Sequence, residues 1–148
     1  NCGCCTAWIE ILKENGFKVT TERSFGTLLI RHKLENGIPQ NMTSCHTGEI
    51  EGYMIEGHVP TADIRRLLSE RPDAVGLAVP GMPYGSPGMG PEDEREAYDV
   101  FLILGDGRTE IFSSYEAALR RRSQDRCGAT AQTSHRAVAA KVRKVPHC

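Results

Sequence analysis

The sequence predicts an α/β fold, a mixed central sheet with flanking helices. Three observations carry that expectation. Apolar residues recur at helical spacing in some stretches, as at Trp8, Ile9, Ile11 and Leu12, and alternate with polar ones in others, as in residues 47–56. Acid–glycine and glycine-rich turn signals separate pairs of short strand-like runs. The 148 residues, 39% hydrophobic and 25% charged, suit one modest core.

The elements follow in order. The first helix opens in the stretch Asn1-Cys2-Gly3-Cys4-Cys5 and stops at Asn15-Gly16. Residues 17–20 read as a short strand. Residues 24–35 are helical by spacing, with Phe25, Leu28, Leu29, His32 and Leu34 near one side and Asn36-Gly37 as the stop. His32 is expected at the surface rather than as a ligand. Residues 47–50 and 53–56 form a hairpin about Glu51-Gly52. A helix capped near Thr61 runs through Ala62, Ile64, Leu67 and Leu68 and ends before Pro72. Residues 74–79 read as a buried strand. Residues 80–91 hold four of the eight prolines and four glycines, which excludes helix and central strand. What remains is a loop of restricted shape presenting Met82 and Met89. A last hairpin is expected from residues 98–104 and 109–112. Residues 115–122 read as a short basic helix and 138–142 as weakly helical. The chain thus divides into a folded unit, residues 1–115, and a basic helix and tail, residues 116–148.

The order of helix start, strand, helix, hairpin and helix resembles the thioredoxin-like layout, in which the segment opening the hairpin faces a C-x-x-C turn. Such a sheet has a strand leading into that turn. Only Asn1 precedes Cys2, so this first strand is expected to be missing or replaced.

Charge narrows the function classes. The net charge of −1 hides 17 Asp+Glu against 10 Lys+Arg in residues 1–115, and 2 against 8 in residues 116–148. An acidic body favours cations over nucleic acid, and the basic tail reads as solvated. No run approaches the ~20 apolar residues that span a membrane. No signal peptide is present, but the chain begins inside its main motif and reads as a mature or trimmed form.

Three of the six cysteines fall within the first five residues. Helix N-termini stabilise thiolate through unpaired N–H groups and the macrodipole. Cys2 and Cys5 stand at C-x-x-C spacing, close enough for a disulfide or for one metal, and Cys4 adds a third sulfur. The bland alternatives are three ordinary small apolar residues, which would crowd a core, or a plain structural disulfide between Cys2 and Cys5, which would leave a reactive thiol beside it. Cys45 and His46 open the hairpin, so the layout brings Cys45 towards the first turn. Four thiols, one imidazole and two thioethers are a soft donor set, suited to Cu(I) and less exclusively to zinc or an iron–sulfur cluster. Adjacent thiols at Cys4 and Cys5 suit sulfurs that each bridge two metals, and thioethers favour copper over zinc. His58 is expected to open the connection to the next helix rather than to bind metal. Cys127, His135, His147 and Cys148 show no ligand-like spacing.

Cys2-Gly3-Cys4-Cys5, Ser44-Cys45-His46-Thr47, Gly57-His58-Val59-Pro60 and the stretch from Val79-Pro80-Gly81-Met82-Pro83 to Ser86-Pro87-Gly88-Met89 together resemble the CopG-type copper-resistance family. The resemblance covers roughly residues 2–115. It implies a thioredoxin-like fold, a periplasmic setting and a cysteine-bridged cluster of several Cu(I) ions per chain. Cys2, Cys4, Cys5 and Cys45 would be the sulfur ligands, with His46, Met82 and Met89 flanking or transient. Expected partners are copper ions and other copper-handling proteins of the envelope. Whether the protein is an enzyme is left open. The rival reading is a thiol–disulfide oxidoreductase using Cys2 and Cys5.

Overall fold

In the computed structural model, described for residues 3–24, 26–118 and 141–147 (backbone only for the last), the chain forms one seven-stranded mixed sheet with three α-helices. Helix α1 spans Gly3–Glu14 and buries Trp8, Ile9 and Leu12. Its end is a Schellman turn: Phe17 N–H reaches Leu12 O at 3.0 Å and Gly16 N–H reaches Lys13 O at 2.9 Å. Gly16 takes the left-handed conformation that turn requires, φ 86°. Strand β1 follows at Lys18–Arg23 and helix α2 at Thr27–Glu35.

The first hairpin forms as the sequence predicts, with β2 Thr47–Ile50 and β3 Tyr53–Glu56 in antiparallel register. Glu51 and Gly52 both have positive φ, as a two-residue hairpin turn of matching twist demands. Helix α3 spans Thr61–Glu70, and β4, Gly76–Ala78, lies parallel to β3. The second hairpin is β5 Tyr98–Ile103 with β6 Thr109–Tyr115.

Side chains alternate across the sheet. Ile55, Leu77 and Val100 face α1 and α3, where Trp8, Leu12, Ile64 and Leu67 complete the larger core. Met54, Ala78 and Ile103 join Ile38 and Met42 in a second cluster. Full burial of each large apolar side chain contributes roughly 1.5–3 kcal/mol.

Several expectations need correction. Residues 115–118 are not helical: Tyr115 ends β6, stacked on Tyr98 with ring centroids 4.9 Å apart and its hydroxyl donating to Asp63. Residues 119–122 lie outside the described residues, as do 138–140. Residues 141 and 142, expected in a weak helix, open β7, Lys141–His147. β7 sits inside the sheet, parallel to β1 and antiparallel to β2. That is the position a strand running into the cysteine-rich turn would take, so the C-terminal segment is the replacement for the missing first strand. Helix α2 also differs. Leu28 and Leu34 are exposed, whereas Leu29 and Lys33 are buried, because Lys33 has a buried partner.

Candidate metal centre

The sulfur-bearing segments meet where the sequence brings them. Cys4 and Cys5 occupy the first turn of α1; Cys5 is buried and Cys4 half-buried. One turn on, Trp8 anchors the helix, its indole N–H donating to Val59 O at 2.9 Å. Across from them, Cys45 lies at the entry to β2. Its Sγ is 3.7 Å from Cys5 Sγ although 40 residues separate the two. The donor atoms of Cys4, Cys5 and Cys45 all lie within 4.8 Å of one another.

Cys45 is placed by the residue before it. Ser44 N–H donates to the Glu56 carboxylate, Ser44 O accepts from Lys33 Nζ at 2.8 Å, and Ser44 Oγ donates to Gly81 O. Gly57, at φ 73°, lets Ser44 close in; a Cβ there would stand 2.6 Å from Ser44 Oγ and from Val79 O. The hairpin register continues past β2, with Gly57 N–H donating to His46 O at 2.9 Å. Each step outward in that register pairs one more residue, so Cys45 comes opposite His58.

Two imidazoles therefore flank Cys45. His46 Nδ1 is 3.1 Å and His58 Nε2 3.2 Å from its Sγ. His58 Nδ1 lies 2.8 Å from Pro87 O, an acceptor only. That ring nitrogen therefore donates to the carbonyl, which turns Nε2 towards the sulfur, the orientation metal-binding histidines take from a carbonyl behind them. His46 is buried against Trp8, centroids 4.4 Å apart, and edge-on to His58 at 4.9 Å. Burial pushes the His46 ring below the usual imidazole range, so it stays neutral. Its Nε2 is a buried nitrogen without a hydrogen-bond partner among the described residues. The Cys45 thiol is held well below its usual range. The Cys5 contact contributes most, followed by hydrogen bonds from both imidazoles, and burial opposes them.

The donors fit a soft metal. Two thiolates on one tetrahedral ion with bonds of about 2.3 Å stand roughly 3.8 Å apart, close to the spacing of Cys5 and Cys45. Thiolates together with neutral imidazoles suit copper or zinc, not magnesium or calcium.

Of the residues singled out in the sequence, Cys4, Cys5, Cys45 and His46 come together here. Cys2 lies outside the described residues. Met82 is exposed and Met89 half-buried, each next to an anchor of its loop. Gly81 O takes the Ser44 hydroxyl. Gly88 packs its backbone on α1, where a Cβ would stand 2.8 Å from Trp8 N and 2.9 Å from Cys4 O. His58 does open the connection to α3, but its ring also faces Cys45, a role the sequence reading had set aside. Lys33 and Glu56 drew no notice there.

Residues 42–89 match a family model described as "Protein of unknown function, DUF411". Two solved structures named "Copper resistance protein copG" are similar over most of the chain. Form 1 is 48% identical, with 79% of this chain and 91% of that one covered and a TM-score of 0.72. Form 2 is 49% identical, with 78% and 90% covered and a TM-score of 0.70. No curated protein matches.

Proposed function

The chain belongs to the CopG family of copper resistance proteins, and from that premise we propose that it binds Cu(I) in a polynuclear cluster bridged by Cys2, Cys4, Cys5 and Cys45 and passes the metal on. The observation that carries this reading is the approach of Cys45 Sγ to Cys5 Sγ, 3.7 Å, with two imidazoles on the same sulfur. A thiolate-rich pocket of this kind prefers a soft monovalent ion to a hard divalent one. His46 and His58 flank the cluster, and Met82 and Met89 serve as entry or exit ligands from the loop over it. Copper is the cargo here. The protein works outside the cytoplasm, in the periplasm, handing copper to or from other envelope proteins. Residues 1–115 carry the copper chemistry, and the basic segment after them contributes β7 to the same sheet. Among the described residues no helix is long and apolar enough to cross a membrane.

Anaerobic titration of the reduced protein with Cu(I), against a competing chelator, tests this. Several coppers per chain are expected. One copper or none, with tight zinc instead, overturns the cluster. Cys45→Ser is expected to lower the stoichiometry; an unchanged count would show that Cys45 is not a ligand. One observation favours a thiol–disulfide exchanger as a second reading: the Cys45 thiol is depressed beside a second thiol. Dithiol turnover by metal-free protein, with no copper uptake, would select it.

A further inference from the structure

Lys33, in the last turn of α2, and Glu56, the last residue of β3, are 2% and 0% exposed and form an ion pair. Neither element carries a sulfur ligand. Stability is a poor reason for such a pair, because taking two charges out of water offsets most of their attraction, and apolar replacements are often neutral or better. What the pair holds is a single residue, Ser44. One Glu56 oxygen accepts from both Lys33 and Ser44 N–H; the other accepts from Thr47 Oγ1 at 2.6 Å. The Lys33 ammonium, already on Glu56, also donates to Ser44 O. Ser44 is thus gripped at its N–H and its carbonyl by opposite charges, on the residue directly before Cys45. Thr47, two residues after Cys45, is tied to the same carboxylate. The four-residue span from Ser44 to Thr47 that carries the ligand is pinned at both ends.

We infer that the Lys33–Glu56 pair is a positioning clamp that sets Cys45 Sγ opposite the α1 thiols and thereby tunes the affinity for Cu(I) without touching the metal. The inference rests on the copper reading. Low dielectric around the pair makes each hydrogen bond to it stiff, so the segment holds its place without metal. Supporting residues of this kind change metal affinity typically 10–100-fold when removed.

The test removes both charges together. Lys33→Met or Glu56→Met alone strands a buried charge and is expected to destabilise the fold. The double variant Lys33→Met/Glu56→Met is expected to melt near the parent yet bind Cu(I) ~10–100-fold more weakly by chelator competition. Lys33→Met/Glu56→Gln restores a neutral acceptor for Ser44 N–H and an N–H donor to Thr47 Oγ1, and is expected to recover most of that affinity. In a Cys45→Ser background the double substitution is expected to change Cu(I) affinity no further, because the clamp acts through Cys45. Parent-like affinity in the double variant, or an equal further loss without Cys45, overturns the clamp. A metal-free readout separates this from the copper reading. Glutathione disulfide oxidises Cys5 and Cys45 to a crosslink, releasing two glutathiones, and peptide mass reports its yield. The double variant is expected to need ~10-fold more oxidant for the same yield; an unchanged yield overturns the clamp. Failure of the parent to bind Cu(I) overturns the copper reading, and this crosslink result still decides the clamp.

Discussion

Cys45 gathers more of the site's chemistry than any other described residue, and its acidity has a thermodynamic consequence. Its thiol is depressed in the folded protein, chiefly by the Cys5 contact and then by the two imidazoles. A depressed pKa contributes stability that is fully present above the unfolded thiol range, around pH 8.5, and is lost as pH falls below it. His46 acts with the same sign. Burial keeps it neutral in the fold, so below about pH 6.5 the unfolded chain takes up a proton that the folded one refuses. Burial pushes the Glu56 carboxyl the other way, so total slopes mix signs and a difference is the cleaner measure. In metal-free reduced protein, the stability gap between the parent and Cys45→Ser is expected to widen from pH 6 to pH 8.5. Urea unfolding at each pH measures it, and a constant gap would show that the thiolate is not favoured by the fold. Part of this chemistry was legible in the sequence and part was not. The pairing of Cys45 with the amino-terminal cysteines followed from the order of elements. His58 was also within reach: a two-residue turn at Glu51-Gly52 pairs Thr47 with Glu56, and continuing that register by two residues puts residue 58 opposite residue 45. Lys33 and Glu56 carried no signal. A lysine in an amphipathic helix and a glutamate ending a strand look like surface residues until the fold buries them together.

At the scale of elements, the loop of residues 80–91 matters through its glycines as much as its methionines. Gly81 and Gly88 both have positive φ, 71° and 84°, yet their surroundings differ. Nothing lies within 4 Å of a Cβ on Gly81, whereas one on Gly88 would run into the α1 backbone at Trp8 N and Cys4 O. Gly81→Ala is therefore expected to cost only the conformational penalty, about 1–2 kcal/mol. Gly88→Ala adds overpacking against rigid backbone, about 1–3 kcal/mol more. It is also expected to lift the loop, with Met89 and the Pro87 carbonyl that orients His58, away from the first turn of α1. Urea unfolding gives the two costs, and Cu(I) competition reports the lifted loop. Equal costs, with copper affinity unaltered in both, would mean that the loop does not seat on α1. The hairpins were readable because their turn chemistry is local. The end of β6 was not: Tyr115 starts a run of residues with good helix propensity, and the strand reaches it because its ring stacks on Tyr98 and its hydroxyl meets Asp63. Such tertiary contacts override propensity.

At the scale of the molecule, the strand order makes β7 the link that holds one edge of the sheet. Among the described residues β1 pairs with β7 alone, and β7 with β2 on its other side. The helix that carries Cys4 and Cys5 leads into β1, while Cys45 leads into β2, so the two halves of the sulfur site belong to strands that β7 joins. No local pattern in residues 141–147 announces this. A parallel pairing more than a hundred residues from its partner is invisible to any reading of neighbouring residues, and the slot was recognised only as a strand that ought to exist. Val142 is the sensitive point, since it pairs with Val19 on one side and Ile50 on the other. Val142→Pro removes an N–H from the ladder and fixes φ inside a central strand, at a cost of about 3 kcal/mol or more. The expected result is loss of amide-exchange protection in Lys18–Arg23, while the β4–β5–β6 side of the sheet stays protected. Cu(I) affinity should fall in parallel, because α1 loses the strand that fixes its direction. If β1 remains protected and copper binding is unaltered, β7 does not join the two halves, and the alignment of Cys5 with Cys45 is held instead by the α1 core residues Trp8 and Leu12.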